Sequence, residues 1–349
     1  MTWVIDDNMH FLPPDLLTNK KLRDAFVESV PREYGQYASI QKIPGTEMEQ
    51  IVLEWPKGCE NLNFGPVHVD PESRIAAMKE AGVDKAILRV PCWQEWIDLE
   101  LCRKVNNDMA HYIKQHPGLF YGLAIVPPWG TEEALYEVER CIYDLGFVGV
   151  EVAAHYGTLY LDEEEFKPYF RRLNELQVPV AVHHTPLPVD YQHLYEYTNL
   201  RRQFGRCVDQ ATAVGREIFS GMFDEFPNLK LVHTMLGGGF FTYVDLILPK
   251  KSRVPEEMER FDLTAAEKVK RYLQNNLFFD ISCAPSWGKA ELECAVRVFG
   301  ADHVLFGGSY PVRREWLIKG VEDIRALDIS EKDKELILGE NAQRIFNLK

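Results

Sequence analysis

Three histidines close short apolar runs, and their residue types suit proton transfer, metal ligation or oxyanion binding. The first run reads Ile5-Asp6-Asp7-Asn8-Met9-His10, and alternation along a strand would place Asp6, Asn8 and His10 on one face. A second ends Val180-Ala181-Val182-His183-His184, with His183 on the inner side and His184 pointing away. A third ends His233-Thr234-Met235 before Gly237, Gly238 and Gly239, with His233 and Met235 on one face. A fourth ends Phe306-Gly307-Gly308-Ser309-Tyr310-Pro311. Around these stand Arg89, able to grip a carboxylate bidentately, and Glu151, a general base if desolvated. Ser282 can donate to a substrate, and Tyr310, Trp55, Trp93 and Trp96 suit the rim of an apolar pocket. Glu151 with His155 also reads as a buried structural pair, and Arg89 as an ion pair between strands.

Strand ends converge only in a fold that gathers them. Eight runs qualify as strands: Trp3–Asp7, Lys85–Val90, Phe120–Val126, Phe147–Val152, Val178–His183, Leu229–Met235, Leu277–Ser282 and His303–Gly308. Most are continuously apolar, as in strands buried on both faces. Amphipathic helices alternate with them, for example Thr131–Leu145 with a Thr cap and a following Gly146, Phe166–Leu176 and Gly205–Phe226. Ser330 opens a final helix to Lys349. The pattern predicts an α/β fold, a (β/α)8 TIM barrel, spanning 1–349 as a single domain. Pro13–Asp70 shows no clear strand–helix rhythm and is expected to be a lid or cap inserted after strand 1, within 13–70.

Composition narrows the partners. The 39 basic and 53 acidic residues of the 349 give a net charge of −14, which disfavours nucleic acid and anionic membrane surfaces. No apolar run approaches the roughly 20 residues of a membrane span. The first residues carry acids and no cationic segment, so a cytoplasmic protein is expected, with its seven scattered cysteines reduced. No P-loop, dinucleotide fingerprint or nucleophile elbow is present.

The motifs resemble the amidohydrolase superfamily, in the branch of aminocarboxymuconate-semialdehyde and γ-resorcylate decarboxylases, which implies a barrel of the metal-dependent-hydrolase type. The resemblance rests on Ile5–Pro13, on Gly221–Lys230 leading to Met235–Gly239, on Phe306–Pro311 and on Asn341–Phe346. His116–Phe120 and Leu145–Val150 fit the same pattern, so the likeness runs along almost the whole chain. It implies a divalent metal held by the positions of Asn8, His10, His183 and Ser309, and a polarising side chain at Met235. Only His10 and His183 keep the family's residue. Asn and Ser are weak ligands, and a thioether does not suit zinc or manganese. The expectation is therefore no cofactor, with zinc or manganese on His10, His183 and Asn8 as the alternative. A metal-independent relative, pyrone dicarboxylate lactonase, resembles this chain in barrel type. His10, His183, Asn8, Ser309 and His233 are the expected catalytic groups, and Arg89, Met235, Glu151, Ser282 and Tyr310 the expected substrate contacts. The implied activity is hydrolysis or carbon–carbon cleavage of a small cyclic or aromatic carboxylate by a homo-oligomer, a dimer by analogy with the branch's pairing. The alternatives are a metal-dependent decarboxylase and an inactive barrel that binds a ligand or partner.

Overall fold

In a computed structural model the chain is described over residues 3–248, 265–282 and 284–349. Eight parallel strands form its central sheet: β1 (Ile5–His10), β5 (Lys85–Arg89), β6 (Phe120–Ile125), β7 (Gly149–Ala153), β8 (Val180–His183), β9 (Leu231–His233), β10 (Leu277–Asp280) and β11 (Val304–Leu305). Their registers follow one another around the sheet, from Ile5 beside Lys85 through Val182 beside His233 to Phe279 beside Val304. The last strand returns to the first. Asp7 N donates to Phe306 O at 2.9 Å, Ser309 N to Asn8 O at 2.8 Å and His10 N to Tyr310 O at 2.9 Å. This seam needs glycine. A Cβ on Gly308 would stand 2.6 Å from Leu317 and 2.7 Å from the Asp6 carboxylate, and one on Gly307 would stand 2.9 Å from the Asn8 Cβ.

Helices cover the outside. They are α2 (Pro71–Ala81), α3 (Leu99–Gln115), α4 (Glu132–Tyr143), α5 (Lys167–Leu176), α6 (Gly205–Phe219), α7 (Ala265–Asn275), α8 (Lys289–Phe299) and α9 (Arg314–Arg325). The Thr131 hydroxyl accepts from Ala134 N at the start of α4, as the cap in the sequence predicts. Gly205–Phe226 is not one helix: a π turn over Leu200–Phe204 leads into α6, which stops before a short turn at Met222–Glu225. Ser330 caps the end of the chain, whose closing turns include a π segment, Leu336–Glu340.

The barrel interior is layered by the period of the strands. Ile5, Ile87, Leu123, Ala181, Val232, Phe278 and Leu305 form an apolar plug, closed underneath by Ala342, Ile345 and Phe346 of the last helical turn. Two residues further along, the same inner faces carry Asp7, Arg89, Glu151, His183 and Asp280, all fully buried. The fold therefore places a polar layer directly above the plug.

The insertion after β1 has more order than its sequence suggests. It contains α1 (Lys20–Glu28) and an antiparallel sheet of β2 (Tyr37–Lys42), β3 (Glu49–Glu54) and β4 (Glu60–Phe64). The six described cysteines are free thiols. Among the described residues no helix is long and apolar enough to cross a membrane.

Candidate active site

A cavity of about 330 Å³ opens at the C-terminal ends of the strands, where β/α barrels carry their sites. His10, Ser282, Ser309 and Met235 line it, together with His184 and Cys92. His183 lies against this wall: its ring meets His10 edge-on, with centroids 5.4 Å apart, and stacks on His184 at 4.2 Å. Asn8 donates through Nδ2 to Ser282 Oγ at 2.7 Å, and Ser282 in turn donates to the Asp280 carboxylate. Five of the expected residues, His10, His183, Asn8, Ser282 and Ser309, thus gather at one floor.

The imidazoles there are neutral. Burial holds His10 well below its ordinary pKa, with His183 and Arg89 adding to the effect. Burial, then the Arg89 charge, brings His183 down to about 3. His183 Nδ1 donates to its neighbour's carbonyl, His184 O, at 2.8 Å, which leaves Nε2 as the free acceptor. That Nε2, both ring nitrogens of His10 and Asn8 Oδ1 are buried without any hydrogen-bond partner. Buried acceptors are rarely left so, and His10 and His183, whose rings meet beside the cavity, offer lone-pair donors that fit a bound cation or substrate. A carbonyl on one ring nitrogen with the other left free is also the arrangement of metal-bound histidines. These donors therefore fit a divalent ion, although the set contains no carboxylate. Nearby, Cys92, His183 and His184 bring ligand atoms within 4.8 Å of one another. Burial pushes the Cys92 thiol up to about 12, so it stays protonated in the absence of a cation.

Several expectations fail on geometry. Arg89 is not available to a substrate. Its guanidinium is 3.0 Å from Asp280, 3.3 Å from the Asp7 carboxylate and hydrogen-bonded to Asp7 O. Burial opposes the Arg89 charge, but Asp7 and Asp280 outweigh it and hold its pKa up. Burial pushes Asp7 well up, and the nearby Asp280 charge adds to this. Glu151 accepts from Val90 N at 2.8 Å and is raised to about 8 by burial, but it lies in the polar layer below the cavity. Tyr310 turns outward and donates to Ser73 O at 3.2 Å.

His233 is displaced for a reason the strand period supplies. Val232 points into the plug, so His233 faces outward, where Nε2 meets the Glu217 carboxylate of α6 at 2.7 Å. Met235 nevertheless reaches the cavity, because the backbone changes hand after the strand. Met235, Leu236, Gly237, Gly238 and Gly239 all have positive φ, from 52° to 79°. His184, expected to point away, also lies on the cavity wall, since it follows the end of β8 at His183 and is free of the strand's alternation. Asp6 leaves the face of Asn8 at a register shift between Asp6 and Met9, and its carboxylate accepts from Asn8 N and Gly308 N. Trp93 is fully buried and donates to Ser29, and Trp55 stacks on Tyr191, so Trp316 is the tryptophan of the cavity wall.

Functional residues that sequence reasoning missed complete the wall. Arg202 and Arg206 enter it from the π turn and first turn of α6, and Arg313 from the segment after β11. Leu62, Asn63 and Phe64 enter from β4 of the insertion. Behind them lies a buried clamp. His155 Nε2 is 3.3 Å from Asp209 and 2.7 Å from Thr185 Oγ1, and its Nδ1 is 3.6 Å from Glu95. Burial opposes protonation of His155, but Asp209 and Glu95 prevail and raise it to about 9.

The sequence model of the amidohydrolase family matches residues 63–348. Gamma-resorcylate decarboxylase of Polaromonas sp. is 28% identical over 303 residues, covering 79% of this chain and 87% of that protein. The 2-amino-3-carboxymuconate-6-semialdehyde decarboxylase of Dictyostelium discoideum is 27% identical, over 80% of this chain and 77% of its own. Among solved structures, 5-carboxyvanillate decarboxylase of Novosphingobium aromaticivorans, in complex with manganese and 4-hydroxy-3-methoxy-5-nitrobenzoic acid, superposes with a TM-score of 0.77. It is 22% identical and covers 99% of this chain and 96% of its own. The expectation of a site without any cofactor finds no support in a manganese-containing neighbour or in the orphaned donors of the floor.

Proposed function

The chain belongs to the amidohydrolase family, and from that premise we propose that it is a carbon–carbon lyase that removes a carboxylate from a small aromatic or cyclic acid. The observation that carries this reading is the set of buried, unpartnered acceptors at the cavity floor: His10, His183 Nε2 and Asn8 Oδ1. His10, His183 and Asn8 would hold a divalent ion, zinc or manganese. When bound, such an ion supplies electrophilic polarisation of a substrate oxygen. The relatives named above are decarboxylases of small carboxylated molecules, which supports the reaction class.

The chain's own residues account for the rest. Asn8 is fixed by its bond to Ser282, so its amide oxygen keeps one direction. The apolar side chains of Leu62, Phe64, Met235 and Trp316 give the cavity walls that suit a ring. Decarboxylation breaks the bond to the carboxylate, releases carbon dioxide and leaves an electron pair that takes a proton. Ser282, hydrogen-bonded to Asp280 and lining the cavity, connects the buried carboxyl layer to that carbon. Ser309 offers a second hydroxyl at the same floor. The insertion over 13–70, which supplies Leu62–Phe64, acts as the lid in this reading.

The test is carbon dioxide release from a panel of hydroxybenzoates and ring dicarboxylates, isophthalate among them, with zinc or manganese supplied, alongside elemental analysis. We expect turnover of at least one acid and about one ion per chain, with the ion lost on changing both His10 and His183 to Ala. No release from any acid, with the ion present, would sink the reading.

A further inference from the structure

The floor explains how one carboxylate is handled, but not the charge of the walls. In a chain with 53 acidic residues, the cavity is lined by Arg202, Arg206 and Arg313 and by no Asp or Glu among the described residues. These arginines are poorly matched inside the protein. Arg206 is only 9% exposed, donates from Nη2 to Asn61 O at 2.6 Å, and has its Nε buried without a partner. Among the described residues no carboxylate lies within ion-pair distance of it, whereas Arg202 reaches Glu60 at 3.7 Å and Arg313 reaches Glu315 at 3.6 Å. Neighbouring Arg201 is different. It donates to Glu60 O and Tyr195 O and serves the loop, not the cavity. Burial lowers Arg206 to about 10, with the Arg202 charge adding to the effect. A buried guanidinium without a counter-ion is a costly arrangement unless an anion completes it.

We propose that Arg202, Arg206 and Arg313 form a subsite for a second carboxylate, so that the substrate is a small ring compound bearing two carboxylates. This rests on the reading of the floor given above. The carboxylate at the floor is the one that leaves, and the one against the arginines stays and fixes the ring. A planar guanidinium matches a planar carboxylate bidentately, which favours this partner over a neutral hydroxyl or ether. Arg206 is also held in place independently of any ligand. Asp209 and Gln210, on the following turn of α6, are tied to the His155 clamp and to Val182 O, so the helix presents its arginines from a rigid base.

The test is calorimetric binding of benzoate and of isophthalate to the full chain at low ionic strength, with Arg206→Gln and Arg313→Gln beside the parent. Isophthalate should bind at least about tenfold more tightly than benzoate, roughly the 1.4 kcal/mol of one charge-assisted contact. Each substitution should bring that ratio towards about 1. Arg313 is exposed, so its variant keeps the test alive if Arg206→Gln does not fold. Equal affinity for the two acids, or a ratio untouched by both substitutions, overturns the subsite. If isophthalate binds through the arginines while no acid releases carbon dioxide, the lyase reading fails and the subsite stands.

Discussion

Two groups of buried histidines lie within this barrel, in opposite surroundings. His10, His183 and His184 face the cavity, carry no carboxylate partner and are held neutral by burial. His155 and His233 face covering elements and lean on acids: His155 on Asp209 and Glu95, His233 on Glu217. All five are at least nine-tenths buried. Burial therefore does not separate a reactive histidine from a structural one. What separates them is whether a carboxylate of the protein stands beside the ring.

The largest effect should come from the first group. Changing His10 or His183 to Ala weakens the hold on the ion and is expected to lower turnover by about 10²–10⁴-fold, while the melting temperature stays nearly where it was. Steady-state rates and thermal melts on the same preparations check this, and a variant that keeps its rate would erase the distinction. The second group should show the reverse pattern. His233→Ala leaves Glu217 buried without its partner and should destabilise the fold by about 3–5 kcal/mol in denaturant titrations, with turnover per folded molecule retained. Equal stability of variant and parent would show that this pair carries no load.

The smallest effect is a pH dependence that only the second group should produce. The folded pKa of His155 is about 9, above its ordinary 6.5, so its stabilising contribution is complete below about 6.5 and fades as pH rises through 9. Burial raises Glu95 to about 7, opposed by His155, so its contribution is complete below about 4.5 and has faded once pH passes 7, which leaves the alkaline slope to His155. Melting temperature should therefore fall by a few degrees between about pH 6.5 and 9.5. His155→Gln should flatten that slope. A parent whose stability rises over the same range would contradict the clamp.

The parts of the molecule legible in sequence are those governed by period and composition. Continuous apolar runs located the eight barrel strands, and a Thr before two acids located the cap of α4. His10, His183, Asn8, Ser282 and Ser309 met at the floor because each ends or follows an inward-facing strand. Parity failed where the chain leaves strand geometry, at the Asp6–Met9 shift and after His233. It also cannot distinguish the polar layer from the cavity above it, which is why Arg89 and Glu151 point inward yet meet only protein. The arginine wall left a trace in Arg201-Arg202-Gln203-Phe204-Gly205-Arg206, an unusual basic cluster in an acidic chain. A cluster alone does not show which of its members turns inward, and here a π turn decides it. In the insertion, the strands β2 and β3 pair with each other and owe nothing to the barrel's rhythm, so the alternation of strand and helix could not reveal them.

The left-handed turn after β9 has an evolutionary consequence. Five successive residues with positive φ wind a short mirror-image coil, and its Gly238 has no room for a side chain, since a Cβ would stand 1.8 Å from Cys207 O. The path of this segment is thus dictated by its glycines and by α6 pressing on them, not by whatever occupies position 235. Met235 tolerates a conformation that histidine and asparagine adopt more readily. Met235→His would therefore introduce a polar ring at the cavity wall without asking the backbone to move, and the lineage can exchange its chemistry at that point while its architecture stands still.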